Sequence, residues 1–353
     1  MIWGDTEHEW VLDVSVVNQH DLSSVAGVLT GVKPDGCSIS LNYESDTRAS
    51  ARVTTVVPEG ESDGWLENAR LRITLSVPSQ GWYKDMFTGY VTDVGERTEA
   101  GACIREYDLD STLFGIAEDL IPWQITCKKG ASVLASVRSI LDMCRMPYDV
   151  GAAADSRFGD NIFYEPGEAA LHMIFDMLGS LNRVDVDGFG RITLKPYTPP
   201  SQREPTATID EDDPRTNATG SATRNDRRYQ RPGRAIVTAR RSQAEGIIAG
   251  WYDAPASSPS SSAVRGYTRA VMQGYSGQTK NPSIDELNSL AKRHWEDAQS
   301  TGATWEREVY YMDLWEGDVV NYIPHGKSAV KCLVHGCEMS FGDMVQRLTL
   351  KEV

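Results

Sequence analysis

Four stretches combine residue types and spacings that suggest chemistry. Cys332, His335 and Cys337, with His325 nearby, are the sulfur and imidazole donors that zinc prefers. In a strand, however, positions 332 and 335 face opposite sides, and no second Cys-x-x-Cys pair accompanies them. The six cysteines (37, 103, 127, 144, 332, 337) therefore read as free, half-buried thiols. Asp185-x-Asp187-Gly188 and Ile209-Asp-Glu-Asp-Asp213 offer the oxygen ligands of calcium. The first lacks a closing glutamate and reads as a hairpin turn; the second reads as an acidic turn, or as a cation collector at a subunit junction. Gly326-Lys327-Ser328 ends like a phosphate loop, but Asn321 stands where the leading glycine would be and no long helix follows.

For hydrolysis, there is no His-Glu-x-x-His, and the six histidines (8, 20, 172, 294, 325, 335) form no recognisable dyad. The chain is expected to be a non-enzyme without cofactor or metal. Its most unusual local feature is a cluster of arginines at 224, 227, 228, 231, 234, 240 and 241. Only Asp226 opposes them, a local charge of +6 that leaves −21 for the rest. Guanidinium forks bind carboxylates bidentately. Arg224, Arg227, Arg228, Arg231 and Arg234 are therefore the candidate intersubunit interface, the other reading being a solvated loop. Trp3, Trp82, Trp251 and Tyr252 fall at expected loops and ends, as interface anchors or as plugs.

The elements that must position these residues are mostly strands. Residues 1–110 alternate as strands do: Leu12, Val14 and Val16; then Ala49, Ala51, Val53 and Thr55. The cleanest run sets Leu71, Ile73, Leu75 and Val77 against Arg70, Arg72, Thr74 and Ser76. Strands over 87–94 and 102–110 follow. Ser111 and Thr112 open a helix that Pro122 ends, and helices are predicted over 131–144 and 168–181. The hairpin 183–194 is expected to turn on Asp187-Gly188 in type I′.

A proline-rich polar stretch over 196–233 reads as a linker. Ile236–Ala239 reads as the first strand of a second β body, Ser283 with Glu286 as a capping box for a helix to Gln299, and residues 305–353 as strands again. The pairs Phe87–Val94 with Cys103–Ser111 and Ala329–Glu338 with Val345–Val353 resemble each other in length and position. This suggests a duplicated barrel.

The expected fold is mainly β with α+β inserts: two similar β-barrel domains, a small α+β insert and a short helical insert. The expected domains are a first barrel at 1–112 and the α+β insert at 113–200. A linker spans 201–232, with a return to the first barrel as one reading of it, and a second barrel at 233–353 carries a helical insert at about 266–302. A length of 353 residues suits several cores, and 40% apolar content suffices to fill them. No run approaches the roughly 18 apolar residues of a membrane helix. The N-terminus has neither the basic start nor the apolar stretch of a secretory signal. A net charge of −15 argues against a general nucleic-acid binder. It suits either solubility or a channel that repels passing DNA.

One stretch resembles a known family. The helix Ser283–Gln299, the turn Leu314-x-x-Gly317-Asp318-Val319-Val320 and the closing hairpin resemble the C-terminal part of phage tail hub proteins. The order of barrel, α+β insert and barrel extends the resemblance over essentially the whole chain. It implies a homotrimer of two barrels per subunit, a pseudo-sixfold ring adapting a sixfold tail to a threefold tip. The implied partners are a distal tail or tail tube protein, a central fibre or spike, the tape-measure protein, and DNA passing without specific binding. No stable membrane insertion is expected. The implied location is the virion tail tip, assembled in the host cytoplasm. The alternatives are a tail-associated peptidoglycan hydrolase and a distal tail or receptor-binding β module.

Overall fold

The computed structural model describes residues 9–353 except 19–20, 59–68, 100, 180, 214–217, 227–229, 243–245, 276–281 and 300–302. In chain order, seven strands come first: β1 (Val11–Val17), β2 (Val25–Val28), β3 (Ser38–Asn42), β4 (Ala49–Pro58), β5 (Arg70–Val77), β6 (Trp82–Glu99) and β7 (Ala102–Ser111). An α+β segment follows: α1 (Thr112–Glu118), β8 (Ile125–Cys127), α2 (Val133–Met143), β9 (Tyr148–Asp149), β10 (Ile162–Tyr164), α3 (Ala170–Leu178), β11 (Asn182–Val186) and β12 (Ile192–Pro196). Next are β13 (Ala207–Asp210), β14 (Ala218–Asn225), β15 (Arg234–Ser242), β16 (Gly246–Asp253), α4 (Ser262–Arg265), β17 (Ala270–Gly274) and α5 (Ile284–Gln299). The last four are β18 (Thr304–Tyr310), β19 (Val319–Ile323), β20 (Val330–Ser340) and β21 (Val345–Glu352). The chain is mainly β with α+β inserts, as the alternation predicted.

Caps and turns set the helix limits. The Ser111 hydroxyl accepts from Leu113 N, Ser132 Oγ accepts from Ala135 N at 3.0 Å, and Ser283 Oγ accepts from Glu286 N at 3.1 Å. Each satisfies one of the amide donors left open in a first helical turn.

Thirteen of the described strands join one sheet, in the order β14-β18-β21-β20-β3-β4-β7-β6-β5-β1-β2, with β19 on β20 and β13 on β19. One apolar core serves strands from both ends of the chain: Val14, Ile39, Leu71 and Tyr107 lie in it with Val320, Tyr322, Cys337 and Leu348. The α+β segment has its own core, built on Leu113, Val137, Ile140, Ile174 and Leu194.

Three expectations change. The stretch read as a linker holds β13 and β14, which pair with β19 (parallel) and β18 (antiparallel), both C-terminal strands. Ile236–Ala239 lies in β15, in a separate three-stranded sheet with β16 and β17, where Ala235, Val237 and Ala239 pack on Leu287 and Ala291 of α5. Alternation identifies a strand but not its sheet. The 183–194 hairpin turns through a longer loop, with Gly190 rather than Gly188 at positive φ and Arg191 N donating to the Asp187 carboxylate at 2.8 Å. Gly188 has another task, described below.

Candidate assembly interface

Strand order and register repeat within the chain. The first unit runs β4-β7-β6-β5 and the second β18-β21-β20-β19, each in the same sequence order. Both hairpins carry a bulge at the same place, between Val91 and Asp93 in β6 and between Val334 and Gly336 in β20. One residue before the bulge, Tyr90 faces Arg70 and Leu333 faces Val319. One step after it, Asp93 faces Asp108, which faces Arg52, while Gly336 faces Thr349, which faces Glu306. Arg52 then faces Ser38 on β3, and Glu306 faces Thr223 on β14. Five strands thus coincide in order and register. Bulges pin register, so their agreement is specific.

The two units meet strand to strand. The first half of β20 pairs with β19, and its second half with β3 of the first unit: Gly336 with Asn42, Met339 with Ile39, Ser340 with Ser38. Cys337, Met339, Ile39 and Leu41 are all buried there.

The α+β segment covers the second face of the first unit through buried arginines. Arg70 donates to the Tyr90 hydroxyl and stacks over its ring at 4.3 Å. Arg72 donates to Leu22 O at 2.6 Å and lies 3.7 Å over the ring of Phe189. Arg183 stacks 4.1 Å over Tyr43, pairs with Asp185 and lies 3.5 Å from Glu316. Gly317, at φ 87°, is where a side chain would strike the Arg183 guanidinium. The Asp318 carboxylate accepts from Trp315 N at 2.8 Å. The Leu314-x-x-Gly-Asp motif is thus a turn that docks the α+β segment. A cleft of about 530 Å³ beside it is lined by Lys84, Arg183, Asp187, Lys195, Arg203 and Glu316, among others.

Burial pushes the Glu316 carboxyl up to about 7 from 4.5, with the Asp185 charge adding to the rise and Arg183 opposing it. The folded chain therefore keeps a proton that the unfolded chain has released. The resulting stabilisation is complete below about pH 4.5 and is lost as pH rises through about 7. Glu316→Gln, neutral throughout, should flatten this fall, whose span is at most about 3 kcal/mol. Urea unfolding of both proteins between about pH 5 and 8 checks it; parallel slopes would refute it.

Of the predicted interface residues, the three described ones lie on separate segments. Arg224, on β14, reaches Asp226 and Glu352, each at 3.4 Å, and lies over Trp305 at 5.2 Å. Arg234, on β15, makes a bidentate pair with Asp253 at 2.6 and 2.9 Å. The Arg231 carbonyl accepts from Arg265 at 2.6 Å. Arg227 and Arg228, like Trp3, lie outside the described residues. Trp82 plugs the sheet edge-on against Trp10 and Tyr311, Tyr252 packs on Trp295, and Trp251 is exposed.

In the acidic turn, Glu211 holds the Tyr322 hydroxyl and His325 N, and Asp212 holds the His325 ring. Cys332 and Cys337 are buried, their thiols pushed up to about 12, while His335 turns to Glu44 at 3.0 Å. No cluster of three metal-ligating residues occurs among the described residues. Gly60-Glu61-Ser62-Asp63-Gly64 has the Gly-x-Ser-x-Gly spelling of a nucleophile elbow and lies outside the described residues.

No family model matches the sequence, and no curated protein matches it. Solved structures do. A tail protein from Neisseria meningitidis MC58 superposes with a TM-score of 0.68 at 16% identity, over 98% of this chain and 97% of that one. The 43 kDa tail protein of prophage MuSo2 from Shewanella oneidensis gives 0.65 at 10% identity, over 98% and 96%. The E. coli c3393 protein, a type VI secretion component described as structurally similar to T4 bacteriophage tail proteins gp27 and gp5, gives 0.51 at 9%, over 98% and 77%. The buried arginine junction and the repeated five-strand unit thus belong to a chain with the fold of phage tail proteins, the fold that its resemblance to tail hubs implied.

Proposed function

We propose that this chain is a structural protein of a phage-type tail, a trimeric tail-tip or baseplate hub. In this reading, each copy contributes two equivalent units, so three copies present six comparable faces to a sixfold tube or distal tail ring. The singular α+β segments present three to a central fibre or spike. DNA passes through the middle, its backbone repelled by a chain of net charge −15. The observation that carries this is the internal repeat: the same strand order, register and bulge in both units. A single unit per chain would give a threefold ring nothing that matches a sixfold neighbour.

The expected mass in solution, by light scattering on the purified chain, is three times the 39.0 kDa protomer. Six copies would favour a distal tail ring, and a persistent monomer would overturn the hub. Clearing of bacterial cell walls in a zymogram would favour a hydrolase instead.

A further inference from the structure

The repeat makes a prediction about two strand edges that are unpaired among the described residues. In the second unit, the part of β20 beyond β19 is covered by β3. The equivalent part of β6 is Asp93–Arg97. β5 begins opposite Tyr90, Val91 N donates to Ala69 O at 3.4 Å, and beyond that no strand among the described residues pairs with this side of β6. The difference shows in burial: Cys337 is 3% exposed, whereas its equivalent Val94 is 48% exposed. At the other end, β14 is the equivalent of β3, and among the described residues it pairs only with β18.

We infer that β14 of one copy adds to the distal half of β6 of the next, antiparallel, repeating between copies the β3–β20 junction found within each. The inference rests on the hub reading above and deepens it by fixing the contact residue by residue. Transferring the internal register places Arg97 opposite Thr223, Glu96 opposite Arg224 and Gly95 opposite Asn225, because Ser340, Met339 and Glu338 face Ser38, Ile39 and Ser40. Opposite charges meet at the position where the internal junction is apolar. The chemistry suits each case. The Met339–Ile39 pair is made once, on folding, and stays buried. An edge that must wait in water for its partner is kept from indiscriminate pairing by charge. Glu96 is held meanwhile by Arg105 at 2.8 Å and Arg224 by Glu352. The contact is heterologous: one edge of each copy meets the other edge of the next, and such a contact gives a ring where its rotation closes, here after three copies.

Arg97→Cys with Thr223→Cys tests the register in the full chain. Directly paired strand positions bring Cα atoms to about 4.5–5.5 Å, within disulfide reach. The native cysteines are all buried, so the new pair is the accessible one. Mild oxidation at high micromolar concentration should give a non-reducing ladder ending at three copies. Thr98→Cys with Thr223→Cys, one residue out of step and facing the opposite side, should give none.

Trimers by mass that fail to cross-link, or that cross-link equally in both pairs, would overturn the register and leave the hub reading standing. Chains that remain single would overturn both. A charge exchange adds a readout that misfolding does not imitate. Glu96→Arg and Arg224→Glu should each weaken assembly about tenfold, and together restore it. Failure of the double variant to recover, with both singles folded, counts against the pairing.

Discussion

Arg183→Ala should destabilise the chain by about 3–5 kcal/mol at pH 8, the range for removing one partner of a buried ion pair. Arg183 is 9% exposed in its side chain, Glu316 is 7% and Asp185 is 15%, so little water reaches the charges left behind. The arginine also loses its stacking on Tyr43. The cost should shrink towards pH 6. Glu316, already raised to about 7, rises further without Arg183 and takes up a proton instead of remaining a bare buried anion. Urea unfolding at the two pH values measures it. An equal loss at both would mean that packing, not charge, makes the contact.

Gly188→Ala should cost about 3 kcal/mol through overpacking, an effect unusual for a loop glycine. Its φ lies outside the left-handed region, so backbone conformation is not the reason. A Cβ there would stand 1.8 Å from the carbonyl oxygen of Asp85 and 2.7 Å from its carbon. Those are backbone atoms of β6 beside a register shift opposite Ile73 and Thr74, and they cannot swing aside. The loop would have to lift, breaking the hydrogen bonds from Thr88 to Gly188 O and from Thr112 to Gly190 O, both 2.8 Å. Phe189 would leave Arg72. Hydrogen exchange should rise on both sides of this contact. Gly159→Ala, in the same segment with nothing within 4 Å, is the control and should be near neutral. Equal effects from the two would refute the close-approach argument.

Local signals were legible in the sequence wherever the physics is local. Serine caps at 111 and 283 stand where helices begin, and the strand read over 102–110 became β7. The arginine cluster was visible as charge, but Arg224 falls in β14 and Arg234 in β15, because nothing in a run of arginines states which sheet each one joins. The type I′ turn at Asp187-Gly188 was a fair reading of two residues. It failed because Gly188 answers to Asp85, about a hundred positions away.

The sequence by itself determined that this chain is mostly strands and roughly where its helices lie, since period, caps and turn residues act over a few neighbours; that its two hairpins share register and bulge came from the structure. Only the tertiary structure decided that Arg70 and Arg72, which alternate with the apolar residues of β5, are buried at 2% and 7%, because the α+β segment lies on that face. It alone decided that Ser38–Asn42 pairs with residues 336–340. A strand's alternation fixes which side of it is apolar, while the identity of its neighbour depends on edges brought together from opposite ends of the chain.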